Sequence, residues 1–166
     1  MSDRFPAEIT IGGMIPRRLL DELARMIASE GVSLDWQYAL DKAAVLAAIE
    51  TAASKGQTVR FTDDEARFGQ FEDLENWLTG HSIDFDRHSD ARYEYDGENA
   101  YGRGRKRPVI SNSDQSGKDL VSGEEIRKIL ASQAPPDRKL TQIAKLTAVP
   151  PALATIVLTD RKGITP

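Results

Sequence analysis

The chain of 166 residues contains no cysteine. Disulfides, thiolate-held zinc and a cysteine nucleophile are thereby excluded, and a reducing, cytoplasmic setting is the expectation. Histidine is almost as scarce, with His81 and His88 the only imidazoles. Long apolar runs are missing too. The longest, Pro150 to Leu158, is interrupted by Thr155 and falls far short of the ~20 residues a membrane span requires. The opening Met1-Ser2-Asp3-Arg4-Phe5-Pro6 lacks the apolar core of a signal peptide. The sequence carries no catalytic signature and no cofactor fingerprint, so we expect no cofactor and no enzymatic activity.

What is present is a segregation of charge hidden by a net of −4. Residues 1–62 hold 7 bases and 8 acids; residues 63–98 hold 12 acids against 3 arginines; from Arg103 onward 12 bases face 6 acids. The last segment is led by Arg103-Gly104-Arg105-Lys106-Arg107. Fields and partners follow local charge rather than the total.

The length suits one domain plus an appendage. Ile9 and Ile11 alternate in a strand ending at Gly12-Gly13. A helix follows from Pro16, with Leu19, Leu20, Leu23, Met26 and Ile27 on one stripe and Gly31 at its end. Val32 and Leu34 mark a second strand, 38–54 a second helix, and Val59 and Phe61 a third strand. Thr62 and Glu65 have the spacing of a capping box. It predicts a third helix bearing Phe68, Phe71, Leu74, Trp77 and Leu78. Ile83 and Phe85 alternate in a fourth strand, and Tyr93 and Tyr95 in a fifth. A shift of 51 residues places Leu23 on Leu74, Ile27 on Leu78, Val32 on Ile83 and Leu34 on Phe85. A β-α-β unit occurring twice predicts an α+β fold of ferredoxin-like type. An inserted helix would separate the units, with helices on one face of a mainly antiparallel sheet.

Residues 97–118 read as a flexible basic loop with a short strand at Val109-Ile110. Ser122 and Glu125 make a second capping box, opening a helix to about Ser132. We therefore expect a core over 1–132 and a helical appendage over 133–166. The appendage would hold helices at Lys139–Thr147 and Ala152–Leu158.

Alternation decides where the carboxylates point. If Ile83 and Phe85 face the helices, Asp84 and Asp86 face the open side. A hairpin of odd loop length then sets Phe85 opposite Tyr95, Asp86 opposite Glu94 and Asp84 opposite Asp96. Such like-charge pairs are destabilising and call for relief by Arg60 and Arg92, by the Arg103–Arg107 run folding back, by a basic partner, or by a divalent cation.

The basic run Arg103, Arg105, Lys106 and Arg107 has the composition of a phosphate-backbone contact. Gly12-Gly13 with Arg17 and Arg18 has the outline of an anion site at a helix start. The competing reading pairs Arg17 with Asp21 and Arg18 with Glu22. His81 is expected at a helix C-terminus and His88 in a turn with Ser89 and Asp90, where the three cannot converge as a triad. The tail from Gln142 to Leu158 has a faint helix-turn-helix rhythm.

No motif matches a named family. The expectation is a non-enzymatic protein that binds a basic protein surface through Asp84, Asp86, Glu94, Asp96 and Arg92. An accessory or inhibitor protein of a phage or mobile element fits that description. The alternatives are a nucleic-acid-associated regulator using the basic run and the C-terminal helices, with a homodimer through those helices, and a divalent-metal enzyme on the acidic face.

Overall fold

The computed structural model describes residues 3–91, 96–104, 106–146, 148 and 150–160. Strands β1 (Arg4–Gly12) and β2 (Met14–Pro16) are followed by a 3-10 turn (Arg17–Leu19) and helices α1 (Leu20–Ser29) and α2 (Lys42–Ser54). Then come β3 (Val59–Arg67), α3 (Glu72–Gly80), β4 (Asp84–Ser89), β5 (Gly97–Gly102) and β6 (Val109–Ser113). Helices α4 (Gly123–Ala131) and α5 (Pro136–Leu146) precede β7 (Val157–Thr159). The fold is α+β.

The main sheet has the order β3-β1-β4-β5-β6, and every neighbouring pair is antiparallel. Its inward residues include Ile9, Ile11, Phe61 and Phe85, all fully buried. They pack with Leu23 and Ile27 of α1, Ile49 of α2 and Leu74 and Leu78 of α3 in one cluster. Each such side chain contributes roughly 1.5–3 kcal/mol by leaving water. The core thus lies between the sheet and its helices.

Several expected elements form differently. The strand at Val32 and Leu34 contracts to a single bridge, Ser33 with Thr62. The chain turns away at Trp36, whose φ is 65°, and leaves Leu34 exposed. The second helix starts at Lys42 because Asp41 caps it, accepting from Ala44 N at 2.8 Å. Thr62 caps nothing. Its hydroxyl lies 2.9 Å from that of Ser33, and β3 runs on through Glu65 to Arg67, paired with β1. The third helix therefore begins at Glu72, and Phe68 is half-exposed beside it rather than on its apolar stripe.

The expected strand at Tyr93 and Tyr95 lies outside the described residues. The partner of β4 is β5, in a segment whose Gly, Ser and Asn content reads as loop. Backbone pairing overrides that composition. The second capping site does form, with Ser122 Oγ accepting from Glu125 N at 3.3 Å. Pro136 opens α5, a favoured first helical position.

The helix expected over Ala152–Leu158 is instead extended. Gly13 N donates to Ala154 O, Val157 N to Gly13 O and Ile156 N to Gln57 O, at 2.9, 2.9 and 3.0 Å. β7 pairs in parallel with β2, and Ile156 is buried in the core. Backbone partners offered by the core decide the conformation, and Pro150-Pro151 favour an extended entry. Among the described residues no helix is long and apolar enough to cross a membrane.

Candidate functional site

In β4, Phe85, Arg87 and Ser89 are buried against the helices, and Asp84, Asp86 and His88 alternate toward the open face. The expected ladder of carboxylates does not stand there. Phe85 lies opposite Gly102 and Asp86 opposite Tyr101, while on the other side Asp86 faces Thr10 and Asp84 faces Gly12. The physical reason is Gly102: a Cβ there would collide with the Phe85 ring, so the bare glycine admits it. Arg92 and Glu94 lie outside the described residues. Asp96 sits just before β5 and accepts from Asn112 Nδ2 at 3.4 Å.

The charge on Asp84 and Asp86 is met from within the chain. Arg103 Nη1 lies 2.7 Å from Asp86 Oδ1, and Gly104 N donates to Asp84 Oδ1 at 2.8 Å. Arg103 also donates to Phe85 O at 2.9 Å and twice to Pro151 O, at 3.1 and 2.9 Å. Its guanidinium is therefore committed, whereas Lys106 and Arg107 are exposed and Arg105 lies outside the described residues. Arg60 pairs with Glu8 at 3.2 Å rather than with the β4 aspartates.

Beside this arrangement lies a polar cleft of about 380 Å³ lined by Glu8, Thr10, Asp86, His88, Asn99 and Tyr101, with residues 115–117 at its rim. Asp119 clasps that rim to the sheet. Its carboxylate accepts from Asn99 Nδ2 at 2.8 Å, from Tyr101 OH at 3.0 Å and from Ser111 Oγ. Burial pushes Asp119 up, but these bonds outweigh it and hold the carboxyl below its ordinary value. Burial, then the bond and charge of Asp119, push Tyr101 up to about 12.

His88 is in the strand, not in a turn. Asn99 Nδ2 is occupied by Asp119 and by Gly117 O at 2.9 Å, so Asn99 Oδ1 is the acceptor for His88 Nδ1 at 2.7 Å. His88 Nε2 faces Asp90 Oδ1 at 3.3 Å. Ser89 points to the opposite side of the sheet, so Ser89, His88 and Asp90 do not converge.

Further acids of the 63–98 segment gather elsewhere, at the end where β3 meets α3, with the charge of Arg4 partly offsetting the rise at Asp63. Burial, then Asp73 and Asp63, raise Glu30, which Leu74 N partly offsets. Burial raises Asp63 as well, against a hydrogen bond from Glu65 N, and neighbouring Asp64 adds to the rise. A second cleft of about 300 Å³ is lined by Glu30, Arg67, Phe68, Gln70, Glu72 and Asp73. Exposed aromatics flank this edge. Trp36 is bound through its backbone N–H to Thr62 Oγ1 at 3.2 Å, and Trp36 and Phe68 are 44% and 48% exposed. Tyr38 is 81% exposed. Trp36 and Phe68 both adopt left-handed backbone, with φ of 65° and 54°, a conformation side chains rarely take and one that tends to mark functional positions.

The remaining candidates separate. Arg17 pairs with Asp160 at 3.3 Å, not with Asp21, which takes Lys42 at 2.5 Å. The 3-10 turn places Arg17 outside the i,i+4 geometry of α1. Glu22 meets Arg25 at 3.9 Å and Trp77 Nε1 at 3.3 Å, and Arg18 is exposed. The amide of Gly13 is taken by Ala154 O, so backbone offered to an anion at Gly12-Gly13 is already used. His81 closes α3, its Nδ1 2.8 Å from Trp77 O and its ring stacked on Trp77. The extended 152–158 segment supplies no recognition helix. Among the described residues, no cluster of three or more His, Asp or Glu is placed to hold a metal ion.

Sequence reasoning missed Arg87. It is 1% exposed, with Nε 2.8 Å from Glu75 Oε1, Nη2 on Glu98 Oε1 and Nη1 donating to Gly69 O at 3.1 Å. Its position two residues after Phe85 was the available signal, since that parity turns it inward. No protein-family model, no curated protein and no solved structure matches this chain.

Proposed function

We propose that this chain is a non-enzymatic binding protein that grips a basic surface of another protein through the edge formed by β3 and α3. The observation that carries the reading is the pair of half-exposed aromatics, Trp36 and Phe68, held in left-handed backbone at the two ends of the acidic stretch Asp63-Asp64-Glu65. Aromatic anchors within a charged rim are the usual anatomy of a protein-binding patch. Burial is the main cause that raises Glu30 and Asp63, and neighbouring carboxylates add a smaller share that a cationic partner would relieve. Asp84 and Asp86 leave the partner surface in this reading, because Arg103 pairs with Asp86 and the Gly104 amide binds Asp84. A surface of this kind suits an inhibitor that presents carboxylates where phosphates would sit on a nucleic-acid-binding partner.

The scaffold reading is ferredoxin-like with a reduced strand. The bridge at Ser33 beside β3, followed by β1 and β4, supports two interleaved β-α-β units whose second strand has contracted to one residue.

The test is affinity capture from the native host with the full chain, identifying what is retained. Asp64→Lys with Glu65→Lys, and separately Trp36→Ala with Phe68→Ala, should each lose the same captured protein at an unchanged melting temperature. Lys106→Glu with Arg107→Glu should retain it. Capture that survives the acidic reversals, or fails only with the basic-run variant, overturns the proposal, the latter in favour of nucleic-acid association.

A further inference from the structure

We propose that the groove beside Gly12 and Gly13 is an acceptor for an extended segment that two copies of this chain exchange, residues 150–160 of each seating on the core of the other. The inference stands independently of the β3–α3 surface.

The groove is built for backbone. A Cβ on Gly12 would collide with the carbonyl oxygen of Ala154 and crowd Leu153, so the bare glycine is what lets the segment lie down. Gly13 then offers both of its backbone groups, accepting from Val157 N and donating to Ala154 O. Gln57 O takes Ile156 N, and the Ile156 side chain enters the core at 2% exposure. At one end Arg103 fastens Pro151 O with two hydrogen bonds. At the other Arg17 meets Asp160. This is strand addition in parallel register, the mode by which sheets capture extended peptides.

What precedes the segment is a tether with little hold on the core. Neither α4 nor α5 contains a buried residue. Leu130 and Leu140 are 54% and 69% exposed, so apolar surface on this hairpin is left uncovered. Lifting α4 and α5 away therefore sacrifices little packing, while the groove and the segment keep the same contacts whether they belong to one chain or two. Exchange of an identical element is a low-cost route to a dimer on those terms. It would also bring two uncovered hairpins together.

The absence of cysteine makes the test direct. Met14 and Val157 are register partners across β2 and β7 and both are exposed. Full-length Met14→Cys and Val157→Cys chains, carrying tags of different size, are mixed at high concentration and oxidised. Exchange predicts a disulfide-linked heterodimer in excess over either homodimer, lost when Gly12→Ala is added to the Met14→Cys chain and diluted by excess wild-type chain. The double variant Met14→Cys/Val157→Cys should shift from an internal to an intermolecular disulfide as concentration rises. A heterodimer no more abundant than the homodimers, or a double variant that stays internally bridged at every concentration, overturns the proposal.

Discussion

Arg103 sets its Nη1 2.7 Å from Asp86 Oδ1 while its other nitrogens hold the carbonyl oxygen of Pro151. One guanidinium thus neutralises a sheet-face carboxylate and fastens the C-terminal segment. Arg103→Ala should cost about 2 kcal/mol, the scale of charge-assisted hydrogen bonds, read by urea unfolding. Arg103→Lys should recover only part of it, because an ammonium lacks the fork that reaches both partners. An Arg103→Lys variant as stable as wild type would show that charge alone matters.

Gly102→Ala places a methyl group where the Phe85 ring lies. Over-packing of this kind costs about 1–3 kcal/mol, and the β4–β5 ladder should carry the damage. Hydrogen exchange of Arg87 and Ala100 amides should quicken first. Wild-type protection at those amides would mean that the ring relocates without strain.

The pH response of the acidic edge has a definite sign. Glu30 is raised above its ordinary 4.5, so its favourable contribution is complete below that value and lost as pH rises through the folded one. Glu30→Gln should therefore be more stable than wild type at neutral pH, an advantage that shrinks as the solution is acidified. Asp119 is lowered and behaves oppositely. Its contribution is present above the ordinary 3.8 and disappears as pH falls through the depressed folded value. Thermal melts of Glu30→Gln and Asp119→Asn across the acid range check both signs.

Asp119→Asn should also bring Tyr101 down from about 12, since the carboxylate that accepts its hydrogen bond and opposes its ionisation is gone. Ultraviolet titration of the phenols reads the shift. A late-titrating tyrosine that persists in the variant would place the cause in burial and the nearby Asp86 rather than in Asp119.

The Asn99 amide fixes the imidazole of His88 with its proton on Nδ1. Nitrogen NMR of neutral His88 should find that tautomer, and Asn99→Ala should release it together with the rim at Gly117. The opposite tautomer in wild type would mean that the Asn99 side chain is turned over.

How far the chain was legible follows from which interactions are local. Alternation in β4 is local, so the outward aim of Asp84 and Asp86 could be read from Phe85 alone. Register is not local. Nothing near Phe85 says that its partner is Gly102, because that choice depends on a ring packing over a missing side chain. The Thr62-Glu65 spacing misled for a related reason: a hydroxyl that can cap a helix found Ser33 instead. Ala152–Leu158 has the composition of a helix, and the backbone partners at Gly13 and Gln57 that make it extended lie far away in sequence. The acidic edge was visible as composition, whereas its aromatic flanks depend on backbone angles that no periodicity encodes.

Arg87 ties together Glu75 of α3, Glu98 of β5 and the loop carbonyl of Gly69 from within β4. Opening any one of these elements alone would take a partner from a guanidinium that is 1% exposed and leave it under-satisfied, a loss that buried charges tolerate poorly. The three elements have little access to partial fraying and are bound to open as one cooperative block. A single buried side chain thereby sets the size of the unit in which this half of the molecule unfolds.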